Sequence, residues 1–387
     1  MRLRARGGTQ LIPVHDYYAA PVSRFVPLVL TAALAGLSVP ATVSAGPVVV
    51  NEEPVRLGPL PGRTRNPLYV LHLQPSPGRA RVLGPGVFEF SAQTDWSNVW
   101  EKWSRSTVHG LQMQDVDMEM VRTGLTARLG LPYGVEVAVE VPLITLMGGV
   151  TDPTIQAWHR LIKVDNGGRE RVRDNRFNYE LRMGNRVNYR VDRPLVMGLG
   201  DITTQMHVQF LRPRGSIPGI SGRFYAKLPT GRLARGTGSG EPDLAAVVHF
   251  EHGFRRFAVY GSAGVIVFGR AGDLGTVLRP ASFTWSSVLE VGLTPGWSLI
   301  AQLHGNTAFH KGFVHRFMSY SPVGFEFGTK VRLGPMDIGF GMEQDIVNGD
   351  PSADVTLVFD ASWRVDELPR QRVRSELSRE ALGRERL

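Results

Sequence analysis

From about residue 86 onward, apolar and polar residues alternate one by one instead of recurring every three or four positions. In Gly134–Pro142, Val135, Val137, Val139 and Val141 share one face while Glu136, Ala138 and Glu140 share the other. Asp201–Leu211 sets Ile202, Thr204, Met206, Val208 and Phe210 against Thr203, Gln205, His207 and Gln209. Asp354–Val365 sets Val355, Leu357, Phe359, Ala361, Trp363 and Val365 against Thr356, Asp360, Ser362 and Arg364. A helical period would mix these sets, whereas a strand with lipid on one side and a polar interior on the other requires their separation over about ten residues.

Applied to the whole chain, this reading predicts strands near 87–97, 117–130, 134–142, 199–211, 219–229, 242–252, 255–268, 282–293, 297–307, 321–333, 336–346 and 354–365. Short connections such as Thr294-Pro295-Gly296 and Gly334-Pro335 alternate with longer ones at 98–116, 143–198, 230–241, 269–281, 308–320 and 347–353. An even strand count with short turns at one end and long loops at the other is the signature of an outer-membrane barrel. Trp96, Trp285, Trp297 and Trp363 fall on the outward face near strand ends, where interfacial aromatics belong. The expected fold is therefore all-β: a transmembrane antiparallel β-barrel of about 12 strands, with a long outer loop able to carry a short helix. A soluble β-sandwich or lipid-binding barrel would share the alternation but turn its apolar face inward.

The ends differ from this central region. Arg2, Arg4, Arg6 and Arg24 precede the apolar run Phe25–Val39, and Val43-Ser44-Ala45 supplies small residues for cleavage, so 1–45 reads as a signal peptide. Residues 46–85 are rich in Pro and Gly without a clean period and read as a periplasmic or lumen-entering strap, 86–365 as the barrel, and 366–387 as a charged, solvated tail. The chain has no cysteine, which excludes disulfides, thiolate metal sites, a cysteine nucleophile and a lipidated N-terminal Cys. A net charge of +9 over 387 residues is too modest to point to nucleic acid.

The inward set supplies the candidate lumen lining: Glu136, Glu140, His207, Arg223, Lys227, His249, Glu251, Glu290, His304, Glu326, Lys330, Arg332, Asp337, Glu343, Asp360 and Arg364. Both signs are present, so part of this charge is expected to brace the wall by cross-strand pairing, as Lys330 and Arg332 lie one hairpin from Asp337 and Glu343. No catalytic, metal or cofactor set is expected. His249 and His252 are three apart on a strand and point to opposite faces, and Gly236–Gly240 lacks the Lys and helix of a phosphate loop. Ser286 or Ser287 with His304 and Glu290 is the only arrangement that suggests a hydrolase acting on lipid. In the 143–198 loop, Pro153 suits a helix start and Ile155, Trp158 and Ile162 form a stripe, so Asp152, Trp158, His159 and Arg160 are candidates for a constriction at the mouth.

Several segments resemble a bacterial family known only as domain-of-unknown-function family 3187. They are Gly58-Pro59-Leu60 with Arg65-Asn66-Pro67-Leu68, Asp117-Met118-Glu119, Asp152-Pro153-Thr154-Ile155 with Trp158-His159, Gly198-Leu199-Gly200-Asp201, and Lys227-Leu228-Pro229-Thr230-Gly231. The resemblance implies an outer-membrane location and no established activity. The functional expectation is a channel or binding barrel for small polar solutes, with a lipid hydrolase or a structural and adhesion barrel as alternatives. Its expected partners are outer-membrane lipid, the barrel-assembly machinery and a small polar solute.

Overall fold

In a computed structural model, the residues described are 56–108, 110–162, 169–184, 186–270, 272–313, 319–347 and 353–365. The leader 1–45 and the tail 366–387 lie outside them, and all of them belong to the compact unit Glu53–Leu387. Fifteen strands form one antiparallel sheet: β1 Phe88–Thr107, β2 Gly110–Leu131, β3 Val135–Met147, β4 Asn178–Met183, β5 Val187–Val191, β6 Leu195–Leu199, β7 Thr203–Leu211, β8 Gly219–Lys227, β9 Asp243–Phe254, β10 Phe257–Phe268, β11 Ala281–Thr294, β12 Trp297–Asn306, β13 Val323–Leu333, β14 Met336–Val347 and β15 Ala353–Val365. Twelve of them close a ring, β1-β2-β3 followed by β7 to β15, with β15 pairing back onto β1 from Phe88↔Val365 to Val99↔Ala353. Closure removes the unpaired edges that lipid could not satisfy.

Burial runs in the reverse of the order found in a soluble protein. Glu251, His249 and Glu326 are 0 % exposed, while Phe224, Val248, Phe283, Phe340 and Phe359 on the alternate positions are 40 % or more exposed. The apolar face is therefore the outer one and the barrel spans a membrane with its strands, which excludes the soluble sandwich. Trp297 and Trp363 lie exposed on this outer face, at the end where β1 begins and β15 finishes. That terminal end carries tight turns such as Gly334-Pro335, where Gly334 takes φ 61° in the left-handed region that a β-branched side chain would resist.

At the opposite, loop end, the structure departs from the periodicity. Residues 98–116, expected as a loop, continue the β1–β2 hairpin in register from Asn98↔Glu119 to Thr107↔Gly110. The short strands β4 and β5 extend the sheet beyond β2, and β6 pairs with the upper part of β3. β4 and β5 do alternate, with Tyr179, Leu181, Met183, Val187, Tyr189 and Val191 buried, but over runs of six and five residues, shorter than a spanning strand. The expected helix forms at Asp152–Ile162.

Candidate functional site

Polar side chains aimed into a ring of 12 strands must find partners, and here most find them in the chain's own strap. Residues 56–85 enter at the terminal end, rise to a one-turn helix at Pro67–Val70 near the loop end, and return to β1. The two limbs hold each other, since Thr64 N donates to Gln74 Oε1 (3.0 Å), Gln74 Nε2 to Thr64 O (3.1 Å) and Arg79 Nη1 to Arg56 O (2.8 Å).

Along the ascending limb, Leu57 N and Gly58 N donate to the two oxygens of Glu290 (2.7 and 3.0 Å), whose Oε2 also accepts from Tyr260 OH (2.5 Å). Leu60 exchanges both backbone groups with the amide of Gln302 (3.1 and 3.0 Å), and Lys330 Nζ reaches Pro59 O (2.6 Å). Arg65 lies between Asp95 (3.0 Å) and Glu343 (3.3 Å), all three at most 2 % exposed in their side chains. Along the descending limb, Leu73 N donates to Asp243 (2.9 Å), Ala80 N and Arg79 to Glu251 (3.2 Å each), and Leu83 N to Glu136 (3.0 Å). Backbone donors thus occupy the wall carboxylates, and an extended strap presents them because it spends few on itself. Where the strap leaves, Gly130 lets it touch the wall: a Cβ there would come within 2.0 Å of Gly84 O.

The loop end is sealed by apolar packing. Leu68 and Leu71 from the strap apex meet Val116, Met118 and Met120 of β2, Tyr179 and Leu181 of β4, Val187 and Tyr189 of β5, and Leu274, Val277 and Phe313 from the loops. Beside this cluster Tyr69 stacks on Phe309 (4.1 Å between centroids) and its hydroxyl accepts from Phe309 N (3.0 Å). The terminal end is more open. A cavity of about 440 Å³ lies between the strap and the β1, β14 and β15 wall, lined by eight basic and four acidic side chains, and a second of about 80 Å³ lies deeper, between Arg63, His72, Arg122, Glu140 and Lys227.

All sixteen candidate lumen residues point inward, though to different ends. Lys227 binds Asp201 (2.7 Å), Asp243 (3.2 Å) and the carbonyl of Leu71 (3.2 Å). Arg223 donates to His207 Nδ1 (2.8 Å) and lies 3.8 Å from Glu136, and His207 Nε2 meets Ser221 (2.7 Å). His249 is hydrogen-bonded to Ser262 (2.8 Å) and Glu140 to Arg122 (2.5 Å). Arg332 and Asp337 form a two-point pair (2.6 and 2.7 Å), Lys330 reaches Asp360 (3.0 Å), and Arg364 reaches Glu89 (2.9 Å). Glu326, Glu343 and His304 lie together on β13, β14 and β12, with ligand atoms within 4.8 Å of one another, the one group among the described residues able to hold a metal ion.

Asp152 is buried against Asn98 (2.8 Å) and Arg169, and Arg169 also pairs with Asp117 and lies over Trp100 at 4.7 Å. Asn98, Trp100, Asp117 and Glu119 sit on the outward face of the β1–β2 hairpin, so Asp152 pins its loop outside the wall, and Arg160 is exposed. The side chains of Trp158 and His159 lie outside the described set. Ser286 does stand opposite His304 in the ladder, but both face the strap and not lipid, and Glu290 is engaged by the backbone of Leu57 and Gly58, so it does not orient the imidazole, whose Nε2 lies instead 3.3 Å from Glu343. The periodicity also left unmarked the partners that fill the lumen: Arg63, Arg65, Tyr69, His72 and Arg79. A segment without a period but dense in Arg, Pro and Gly is the only signal the sequence offers for them.

Among solved structures, an outer-membrane channel from Pseudomonas putida F1 is similar at 11% identity over 76% of this chain and 100% of that one, with a TM-score of 0.48. The NanC porin (7% identity, 71% of this chain and 100% of that one, TM-score 0.41) and the KdgM porin in complex with disordered oligogalacturonate (7%, 72% and 98%, TM-score 0.35) are similar barrels. No curated protein matches the chain. The family described as "Protein of unknown function (DUF3187)" matches residues 34–365, most of the sequence and all of the barrel, and the chain is a member of that family.

Proposed function

We propose that the protein is an outer-membrane channel for small polar solutes whose lumen is closed by its own strap. In this reading the terminal end faces the periplasm and the loop end faces outward. The carrying observation is the chemistry of the strap's contacts. Within the lumen they are hydrogen bonds and ion pairs from backbone N–H groups and arginines to wall carboxylates. Water or a polar solute can replace such partners, because a hydrogen bond to a charged group that is exchanged with solvent changes free energy by about 1.5–3 kcal/mol. A structural or display barrel needs no removable filling. The excess of basic groups around the 440 Å³ vestibule further favours anionic solutes at the entrance.

The absence of native cysteine makes the test direct. Leu60 Cδ1 lies 2.9 Å from where a Cβ on Gly341 would sit, so the side chains of Leu60→Cys and Gly341→Cys would face each other between strap and wall, the pair to be closed by oxidation to a disulfide. In planar bilayers the reduced protein is expected to show conductance events with anions favoured over cations, and oxidation should abolish them reversibly. A reduced barrel that never conducts, or an oxidised one that conducts equally, would refute the proposal.

A further inference from the structure

The structure assigns a divalent transition-metal site to His304, Glu326 and Glu343, inside the wall beneath the ascending strap. Glu326 and Glu343 are directly opposed in the β13–β14 ladder, and Gln302 stands opposite Glu326 on β12. Two carboxylates facing each other across a ladder repel, and within a lumen occupied by the strap that repulsion is poorly screened. They are 0 % and 3 % exposed, and His304 is 4 % exposed.

Their other neighbours engage only the outer oxygens. Gln302 Nε2 donates to Glu326 Oε2 (2.7 Å), and Arg65 approaches Glu343 at Oε2 (3.3 Å). Glu326 Oε1 has no hydrogen bond, while Glu343 Oε1 and His304 Nε2 face each other at 3.3 Å. Buried polar atoms seldom go unmet, so an orphaned carboxylate oxygen converging on a loosely paired imidazole and carboxylate from adjacent strands points to a shared ligand.

The backbone leaves space for that ligand. A Cβ on Gly324 would lie 2.8 Å from His304 Nε2 and 3.2 Å from Glu343 Oε1, and one on Gly341 would lie 3.2 Å from Glu326 Oε1. Glycine at both positions spares the ligand atoms the pressure of a Cβ, although Leu60 Cδ1 packs beside Gly341. One imidazole nitrogen and two carboxylate oxygens suit zinc and its first-row neighbours, and the nitrogen disfavours calcium or magnesium. The ion would neutralise the opposed carboxylates and tie three strands together where the strap passes. This holds whether or not the barrel conducts.

The test uses the full-length barrel in detergent, purified without a histidine tag, stripped with chelator and titrated with Co²⁺. One equivalent is expected to give visible d–d absorption that Zn²⁺ displaces. Glu326→Gln and His304→Gln should each weaken binding at least tenfold while the heat-modifiable mobility of the folded barrel is kept. Absence of a saturable one-to-one signal in the wild type, or unchanged affinity in both variants, overturns the assignment. X-ray absorption of the Co²⁺-loaded wild type decides the matter even if a variant fails to fold: one imidazole in the coordination shell supports the site, and none or several overturns it.

Discussion

Replacing Arg65 by Met removes a side chain that joins the strap to two buried wall carboxylates, Asp95 at 3.0 Å and Glu343 at 3.3 Å. Breaking a buried ion pair by deleting one partner costs about 3–5 kcal/mol, because the other charge is left in a poorly solvated place. Solvent screening gives little discount, since the side chains are at most 2 % exposed. The lower end applies here, because Arg63 remains 3.7 Å from Asp95 and His304 remains 3.3 Å from Glu343. At about 3 kcal/mol, local opening of the strap should become roughly a hundredfold more frequent. The amides to watch are Leu57 and Gly58, which donate to Glu290, and Leu60, which donates to Gln302. Their hydrogen exchange, measured in metal-free detergent solution, should accelerate by about that factor, while β13–β14 ladder amides hold their rate. Equal acceleration in the ladder would mean that Arg65 stabilises the barrel as a whole. Unchanged strap amides would mean that the ion pairs do not hold the strap.

Three further outcomes are expected. Gly130→Val places side-chain atoms where Gly84 O already lies 2.0 Å from the Cβ position, so the strap should lose its docking at the exit and become open to protease while heat-modifiable mobility persists; full protection would refute the close approach. Arg169→Met strands Asp117 and Asp152, so cleavage within 148–175 should rise sharply, with any conductance unchanged because this loop is pinned on the outward face of the hairpin; altered conductance would place it in the pathway. His310, in the loop that caps the strap apex, is pushed down from 6.5 to about 3 by burial and, secondarily, by neighbouring His72. The open form therefore takes up a proton at a higher pH than the closed form, so the closed cap is most stable above pH 6.5 and loses stability as pH falls toward 3. Exchange of the Phe309 amide, corrected for its intrinsic rate, should show this trend in the wild type and a flatter one in His310→Gln.

The sequence by itself determined the barrel. Lipid outside and polar groups inside impose a period of two on every spanning strand, so the outward valines of 135–141 and the opposition of Ser286 to His304 could be read without coordinates. That constraint ends at the membrane boundary. Beyond it, residues 98–116 keep no clean period, and β4 and β5 alternate only over five or six residues, too short a run to mark a spanning strand; hydrogen-bond pairing with neighbours decides them. The inward positions were legible for the same reason as the outward ones, but not their partners. Glu290 reads as a lumen charge in the sequence, and only the fold shows it bound to the backbone of residues 57 and 58, more than 200 positions away in the chain. The tertiary structure alone decided that the lumen is filled and that Glu326 faces Glu343 beside His304. Both depend on contacts between segments distant in sequence, where composition and alternation are silent and only three-dimensional register brings the atoms together.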